Sequence, residues 1–459
     1  MIRRSCFLLL SVSVLLLAGC ATQPGNSLSN VQRELGARGG ATVGWPQSES
    51  QKDRLNDSVA NLLKDELTAE SAAAIALLNN RSLRATFEEL GVSQAELIAA
   101  GRLPNPSFSA SVRWPNDRPR EPNVEFGLGI DLLNALLVPV RKNFAGAQLA
   151  QAERRVAHEA LTLAKEAKSA AYMVQARQEF RARLEAILDV NDTAADLAQR
   201  QFDAGNISKL DLLNQQATAQ QARLELAATD AELRRDREKL NRLLGLWGPQ
   251  TNWKMAATLP EAPEREPNFD ALESQAVAQR LDLAAAQSQV ALARAALDLK
   301  RKTRLLPASV NVGVDTEREP GGSGSHTHVT GPNVELALPI FDQGQADLAR
   351  LSAEERRAEA NYEGLAIDIR SEVREARDAL LAARAKADYY DKTLLPQRRA
   401  ILRETLLHYN AMQKSNYELL LAKQQSLEAE RARIEAWRDY WIAHAELEHV
   451  VGGRLAAQP

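Results

Sequence analysis

The sequence predicts a mainly helical protein with a small membrane-spanning β part and an internal two-fold repeat. Only 5% of the 459 residues are aromatic, and Ala, Leu, Glu, Arg and Gln are abundant, a composition typical of long helices. Two pairs of short segments alternate apolar and polar residues, as strands do. The same order of elements occurs twice along the chain. Together these features favour long helical hairpins attached to a few strands.

Composition also excludes several classes of function. The formal net charge is −3, so the chain lacks the basic character of a nucleic-acid-binding protein. Its two cysteines, Cys6 and Cys20, are too few for a disulfide framework or a thiolate zinc site. We find no zinc-protease, P-loop or dinucleotide-binding motif and no convincing nucleophile with its base. The sequence therefore predicts no enzyme, no cofactor and no metal site.

Residues 1–19 are predicted to be a signal peptide, because a basic start precedes an apolar run of 12 residues. That run is too short for a membrane helix, which needs about 20 residues. The segment Leu17-Ala18-Gly19-Cys20 resembles the bacterial lipoprotein processing box, which predicts cleavage before Cys20 and a covalent lipid, such as palmitate, on its thiol. Ala21, and not Asp, follows, and in such lipoproteins this implies sorting to the outer membrane. An ordinary signal peptide with a chance cysteine is the alternative.

The rest of the chain divides by composition. A lipidated lead-in, 20–66, is rich in small polar residues and is predicted to be irregular. A stretch with four prolines, 248–268, reads as a linker. Between and after them lie structural repeat 1, 67–247, and structural repeat 2, 269–452, followed by a tail, 453–459.

The two repeats match each other at a series of positions. Equivalent residues are 200 apart early in the repeats and 207 apart later, as in the pairs Pro139 with Pro339 and Phe202 with Tyr409. The difference of seven is one heptad, which a coiled coil tolerates because its apolar seam keeps the same direction. The long helices are therefore predicted to form coiled-coil hairpins.

Each repeat has the same predicted elements. A first helix, two strands, a long helix and a closing helix follow one another; the helices are 68–101, 140–204 and 208–245 in repeat 1, and 270–303, 343–408 and 415–451 in repeat 2. The strands are about 106–116, 122–134, 307–317 and 329–340. Pro396 is the one proline inside the second hairpin and predicts a kink or break there.

The strands decide where the protein resides. A half-buried sheet on a soluble core gives the same alternation. However, the strands have the length that tilted membrane strands need, and the outer-membrane address favours a transmembrane sheet. Four strands cannot close a barrel, and open edges are costly in lipid, so two or three copies must join. The polar segment 316–328 is predicted to be an exposed loop, and its His326 and His328 are expected to be solvated and not to bind metal.

At this point the sequence resembles the TolC-type outer-membrane efflux proteins over about residues 60–452. The matching motifs are Leu78-Asn79-Asn80-x2-Leu83-x-Ala85, Gly101-Arg102-Leu103-Pro104-Asn105-Pro106, Leu338-Pro339-Ile340-Phe341-Asp342, Phe202-x-Ala204-Gly205-x2-Ser208-x2-Asp211-x-Leu213 and Leu240-Asn241-x2-Leu244-Gly245. One departure from the family pattern is residues 131–139, which are longer and more apolar than the usual exit from the second strand.

The resemblance implies a homotrimer in which each protomer gives four strands to one transmembrane β-barrel in the outer membrane of a Gram-negative bacterium. The helices would continue it as a periplasmic α-barrel, where a periplasmic adaptor protein and an inner-membrane pump of the RND type would dock. The implied function is the exit duct of a tripartite efflux system for drugs or metal cations. A duct for type I protein secretion, or a coiled-coil scaffold lipoprotein without a pore, are the alternatives.

Both hairpins turn at equivalent places. The sequence spacing of Ser208 with Asp211, and of Ser415 with Glu418, predicts capping boxes at two helix starts. The resemblance implies further that these turns are the periplasmic tip, with Gly205, Ser208, Met412 and Ser415 in the docking region. By the same resemblance, the implied gate consists of Asp211, Lys414 and Glu418, whose charges recur around a trimer.

Overall fold

A computed structural model describes residues 27–39, 42–46, 48–114, 122–263, 269–304, 306, 310–320, 326–337 and 339–455. The predicted signal peptide and lipidated Cys20 lie outside these residues. The described chain forms two compact units. The sheet unit contains residues 89–152 and 291–355, and the hairpin unit contains residues 28–88, 153–290 and 356–455.

The sheet unit holds four antiparallel strands in the order β1-β2-β3-β4. They are β1 Ser107–Arg113, β2 Asn123–Asp131, β3 Val310–Pro320 and β4 His326–Leu336. Each strand pairs with the next one along the chain, so the sheet is a simple meander. The predicted small β part in a mainly helical chain is confirmed.

Several strand ends differ from the prediction. β1 ends at Arg113 and not at 116, and β4 ends at Leu336 and not at 340. β2 stops at Asp131 and not at 134, because the Asp131 carboxylate caps a short helix that starts at the next residue. The predicted loop 316–328 is wrong at both of its ends, since β3 runs to Pro320 and β4 starts at His326. Backbone pairing extends past the apolar residues here, and the hydroxyl oxygens of Thr316 and Thr330 lie 3.2 Å apart across the two strands.

The helices account for most of the remaining chain. They are α1 Ser27–Ala37, α2 Glu49–Leu62, α3 Ala69–Asn79, α4 Arg81–Ala100, α5 Leu132–Leu136, α6 Val138–Asp203, α7 Lys209–Leu244, α8 Leu272–Gln279, α9 Leu281–Thr303, α10 Gln345–Tyr389, α11 Leu395–Asn410 and α12 Asn416–Val451. A π turn, Tyr390–Leu394, joins α10 to α11. Within the described residues, no helix is both long and apolar enough to cross a membrane.

The first helix of each predicted repeat is broken, contrary to the single helices expected over 68–101 and 270–303. Asn80 and Arg280 have extended backbones between the two pieces. The Asn80 side chain replaces the lost helical bonds by accepting from the backbone N–H of Leu83 and donating to the carbonyl of Leu243, at 2.9 and 2.8 Å. Arg280 instead donates to Asp282 and Glu372. Each break is thus held by one local contact and by one contact distant in sequence, to Leu243 or to Glu372.

Two segments predicted to lack structure belong to the hairpin unit's packing. The lead-in, 20–66, contains α1 and α2, and Val31 and Leu35 of α1 are fully buried. Within the linker, 248–268, Trp253 is buried and its indole N–H donates to the side-chain oxygen of Asn241 at 2.8 Å. Isolated apolar residues between prolines and small polar residues therefore anchor both segments.

The hairpin unit is held by a core where α3, α6 and α7 meet. Ile75, Val174, Leu240 and Leu244 are buried together there. A second cluster, around Ile369 and Tyr440, joins α10 to α12. These clusters fix the bases of two hairpins, α6 with α7 and α10–α11 with α12, and leave their turns at residues 204–208 and 411–415 outside the core.

Candidate functional site

The turns of the two hairpins share one backbone geometry. In the first turn, the N–H of Gly205 donates to the carbonyl of Phe202 and that of Asn206 to Gln201, at 2.9 and 2.8 Å. In the second, the N–H of Met412 donates to Tyr409 and that of Gln413 to His408, both at 2.9 Å. This is the Schellman pattern that ends a helix on a residue with left-handed backbone.

Different residues take the left-handed position. Gly205 has φ +77°, which costs glycine little, and an added Cβ would meet no atom within 4 Å. Met412 has φ +57°, and its side chain is 94% exposed. Because a side chain disfavours this conformation by roughly 1–2 kcal/mol, the second turn is strained where the first is relaxed.

The predicted capping boxes are present in both turns. Ser208 Oγ accepts from the N–H of Asp211 at 3.1 Å, and the Asp211 carboxylate accepts from the N–H of Ser208 at 3.3 Å. Ser415 and Glu418 repeat the arrangement at 3.3 and 2.9 Å. Each serine and carboxylate thereby satisfies amides that a helix start leaves without partners.

Lys414 adds a charge to the second box. Its ammonium donates to Glu418 Oε1 at 2.6 Å, while Glu418 Oε2 accepts from the backbone and hydroxyl of Ser415. These bonds, that from Lys414 foremost, lower the pKa of Glu418 to about 2, so the carboxylate stays ionised at any physiological pH. The structure thus brings Lys414 and Glu418 together.

The corresponding position in the first turn is Ile207, so Asp211 has no such lysine beside it. Lys209 instead lies with its ammonium 5.1 Å from the centroid of the Phe202 ring. Among the described residues, no hydrogen bond or ion pair joins one turn to the other. Asp211 and Glu418 each bond within their own turn.

Sequence reasoning missed a groove between the hairpins. It has a volume of about 1010 Å³ and is lined by leucines of both hairpins, including Leu184 and Leu427. Lys423 of α12 reaches across it and donates to the side-chain oxygen of Asn191 in α6 at 2.7 Å, and burial lowers the pKa of Lys423. A lone lysine after Leu420-Leu421-Ala422, where repeat 1 has Gln216, was the available signal.

The π turn lies next to Pro396, where the sequence predicts a kink or break. Pro396 has no N–H and its ring would collide with the carbonyl four residues earlier, so the widened turn at 390–394 accommodates it. Arg433 of α12 donates to Asp391 in this turn at 2.6 Å. No group of three or more His, Cys, Asp or Glu side chains that could hold a metal occurs within the described ranges.

Comparison with known proteins covers both predicted repeats. The sequence pattern of the family described as outer membrane efflux protein matches residues 73–246 and 272–453. The cobalt-zinc-cadmium resistance protein CzcC of Cupriavidus metallidurans is 24% identical over 380 residues, which cover 80% of this chain and 85% of that protein.

Solved structures share the fold. The CmeC outer membrane channel of Campylobacter jejuni superposes with a TM-score of 0.71 at 15% identity, covering 90% of each chain. The outer membrane protein VceC of Vibrio cholerae gives a TM-score of 0.68 at 17% identity and covers 89% of this chain and all of that one. The likeness extends over both the sheet unit and the hairpin unit.

Proposed function

The chain belongs to the outer membrane efflux protein family, and on this premise we propose that three copies form one channel through which small molecules leave the cell. The family consists of efflux channels and not of enzymes, so the protein is assigned no reaction. Transport energy would come from an inner-membrane partner.

The sheet carries this proposal. Its order leaves β1 and β4 paired on one side only within the described residues, and large apolar side chains such as Phe108, Phe126 and Val334 are exposed. Open edges and an apolar surface are both unfavourable in water, whereas in lipid every backbone group must be paired. Three copies would supply twelve strands, enough to close a barrel.

The address supports the same proposal. Cleavage before Cys20 and attachment of a lipid to its thiol would anchor the N-terminus to the outer membrane, with the hairpins in the periplasm. One lipid signal anchors weakly unless a second attachment adds to it, and the sheet would provide that second attachment. Mass spectrometry of the mature N-terminus would test the modification.

The hairpin turns are the proposed docking region for a periplasmic adaptor, which would connect the channel to an inner-membrane pump of the RND type. Gly205, Ser208, Met412 and Ser415 lie at these turns, and each is exposed. Met412 supplies a flexible apolar contact of the kind that adaptable binding surfaces use. A photo-crosslinking residue introduced in place of Met412 would identify the partner that contacts this turn.

Metal cations are the proposed cargo class. Support comes from the similarity to the cobalt-zinc-cadmium resistance protein and from acidic side chains on the polar face of the sheet, among them Glu125, Asp315 and Glu335. Arg113 compensates part of this charge by pairing with Glu125 at 2.5 Å, whereas Asn333 donates a hydrogen bond to Asp315 at 2.6 Å and leaves its charge in place. Rings of the remaining carboxylates would favour cations over anions.

Asp211, Lys414 and Glu418 are the proposed gate. In a trimer each would occur three times around the tip, and carboxylate rings can select cations and restrict a pore. The ion pair between Lys414 and Glu418 forms within one chain. The channel could therefore open without breaking this pair. Asp211 bonds to Ser208 in its capping box and has no lysine beside it, so its carboxylate is the one more available to a neighbouring protomer.

The channel is tested by recording the purified mature protein in a planar lipid bilayer. We expect discrete, cation-preferring conductance steps that are small at rest. Continued silence of correctly folded trimers, even after Asp211→Ala and Glu418→Ala, would refute the pore and favour a scaffold lipoprotein.

The gate is tested in the same recordings with Asp211→Asn and Glu418→Gln, which remove charge while keeping side-chain shape. We expect conductance to rise about twofold or more, or cation preference to fall, because the carboxylate rings are weakened. Glu404→Gln is the matched control, because Glu404 is an exposed carboxylate of α11 that precedes the turn. Equal effects from the control, or none from the turn variants, would remove the gate assignment.

A further inference from the structure

The connection between β2 and the long helix α6 exposes a row of apolar side chains. It begins at α5, which Asp131 fixes to the strand by accepting from the backbone and side-chain N–H groups of Asn134, at 3.0 and 2.6 Å. No residue of α5 is buried. Leu132, Leu136 and Val140 are four residues apart and all exposed, Leu136 by 68%, so they follow one side of the helical path.

A second apolar segment follows β4. Ile340 is exposed by 67% and Phe341 by 93%, and both precede the long helix α10. β2 and β4 both pair antiparallel with β3, so their C-terminal ends lie at the same end of the sheet. Asp131 of β2 pairs with Asn311 of β3, and the adjacent Val310 pairs with Leu336 of β4. Leu132, Leu136, Val140, Ile340 and Phe341 are called the collar below.

We propose that the collar lies in the periplasmic phospholipid leaflet of the outer membrane and sets the depth of the sheet. This rests on the proposed function, which places the sheet in the membrane and the long helices in the periplasm. Continuity supports lipid as the occupant, since Leu132 extends the alternation of apolar residues through Leu128 and Ile130 of β2. The apolar surface of the sheet thus passes into the collar without interruption.

The height of the sheet gives an independent reason. The apolar positions of β2 run from Val124 to Ile130, which at about 3.3 Å per residue and a tilt of about 40° spans roughly 15 Å along the membrane normal. The apolar band of such proteins is about 25 Å tall. The helical path from Leu132 to Val140 rises about 12 Å and supplies the missing height.

Charged residues beside the collar fit a phospholipid surface. Lys142 is exposed two residues after Val140, and Arg301 and Lys302 are exposed at the end of α9. Cations adjoining an apolar stripe are the signature of segments that lie at the headgroup boundary. Arg141 does a different task, since its guanidinium donates to the carbonyl of Asn134 at 3.1 Å and so holds α5 against α6.

The test uses single cysteines introduced at four positions, because the chain has only Cys6 and Cys20 of its own. Leu136→Cys and Phe341→Cys report on the collar, Phe126→Cys on the sheet, and Leu224→Cys, an exposed leucine of α7, is the control outside lipid. Each is labelled with an environment-sensitive fluorophore and, as trimers, reconstituted into phosphatidylethanolamine–phosphatidylglycerol vesicles containing lipids brominated at a shallow or a deep acyl position. Unsubstituted protein measures labelling at Cys20.

We expect shallow bromines to quench the two collar positions about twofold and more strongly than deep bromines do, while Phe126→Cys is quenched best by deep ones and Leu224→Cys by neither. Quenching at Phe126→Cys without quenching at the collar would overturn this inference and leave the proposed channel standing. Collar positions quenched as strongly by deep bromines as Phe126→Cys would overturn the shallow placement of the collar, and the inference with it. Absence of quenching at all positions would overturn the membrane-spanning sheet itself, and with it the proposed function.

Discussion

The first hairpin, α6 with α7, and the second, α10–α11 with α12, end in turns with the same backbone hydrogen bonds and the same capping boxes, yet their sequences reach that geometry differently. The first has an uninterrupted helix of 66 residues and a glycine at its left-handed position. The second has a π turn beside Pro396 and a methionine at the left-handed position. One backbone path is therefore compatible with two distributions of strain.

Side-chain packing near the turns is also weaker in the second hairpin than in the first. Leu212, one turn into α7, is 1% exposed, whereas its counterpart Leu419 in α12 is only partly buried. Strained backbone and sparse burial both lower the free energy of local opening. We therefore expect the turn of the second hairpin to unfold locally before that of the first. The ion pair of Lys414 with Glu418 stabilises this turn, which has less apolar packing.

The largest expected effect separates the two hairpins by core packing. Leu212→Ala should lower the free energy of unfolding by about 2–5 kcal/mol, because it removes a fully buried side chain and leaves a cavity. Leu419→Ala, at the equivalent but partly exposed position, should cost about 1–2 kcal/mol. Urea unfolding followed by circular dichroism, at equal protein concentrations, gives both values. Equal losses would show that the turns are packed alike and end the comparison.

The next effect concerns the left-handed residues. Gly205→Ala should destabilise the protein by about 1 kcal/mol, because the added Cβ meets no atom and only backbone strain changes. Met412→Gly should stabilise it by about 0.5–1 kcal/mol as the strain is relieved, less the greater freedom of glycine in the unfolded chain. Met412→Ala keeps the strain and serves as the control. Thermal unfolding that improves equally with Ala and Gly would place the effect in the methionine side chain.

The smallest effect depends on pH. The folded-state pKa of Glu418, about 2, lies below its usual 4.5, so its contribution to stability is present above pH 4.5 and is lost as the pH falls towards 2. Lys414→Gln removes the main cause, so wild type and variant should differ in thermal midpoint above pH 4.5 and converge below it. Lys209→Gln removes a cation from the first turn as a control. A difference that persists unchanged at pH 2.5 would show that the ion pair is not its source.

Much of this organisation is readable from local sequence. The periodicity of α6 and α7, the strand alternation of β1 and β2, and the serine–carboxylate spacing at both turns each depend on residues close together in the chain, and the structure confirms them. The gate, docking and lipidation assignments remain predictions. Local patterns identify a helix start well, because a cap satisfies amides within three residues of itself.

Features set by distant partners were not readable in this way. The break at Asn80 depends on a carbonyl 163 residues away, and the tie of Lys423 to Asn191 spans 232 residues. The burial of Trp253 within a proline-rich segment likewise depends on α7. The β3–β4 ladder extended into a segment whose charges favoured a loop, because backbone pairing does not require apolar side chains.

The sequence by itself determined the long helical hairpins, the four strands and the positions of the two turns, since helix and strand periodicity and caps are properties of neighbouring residues. Only the tertiary structure decided where the first helices break, which leucines near the turns are buried, that Lys423 bonds to Asn191, and that an exposed apolar helix follows β2. Each of these depends on which surfaces meet or fail to meet in space, and the energies of burial and pairing are fixed only by that meeting.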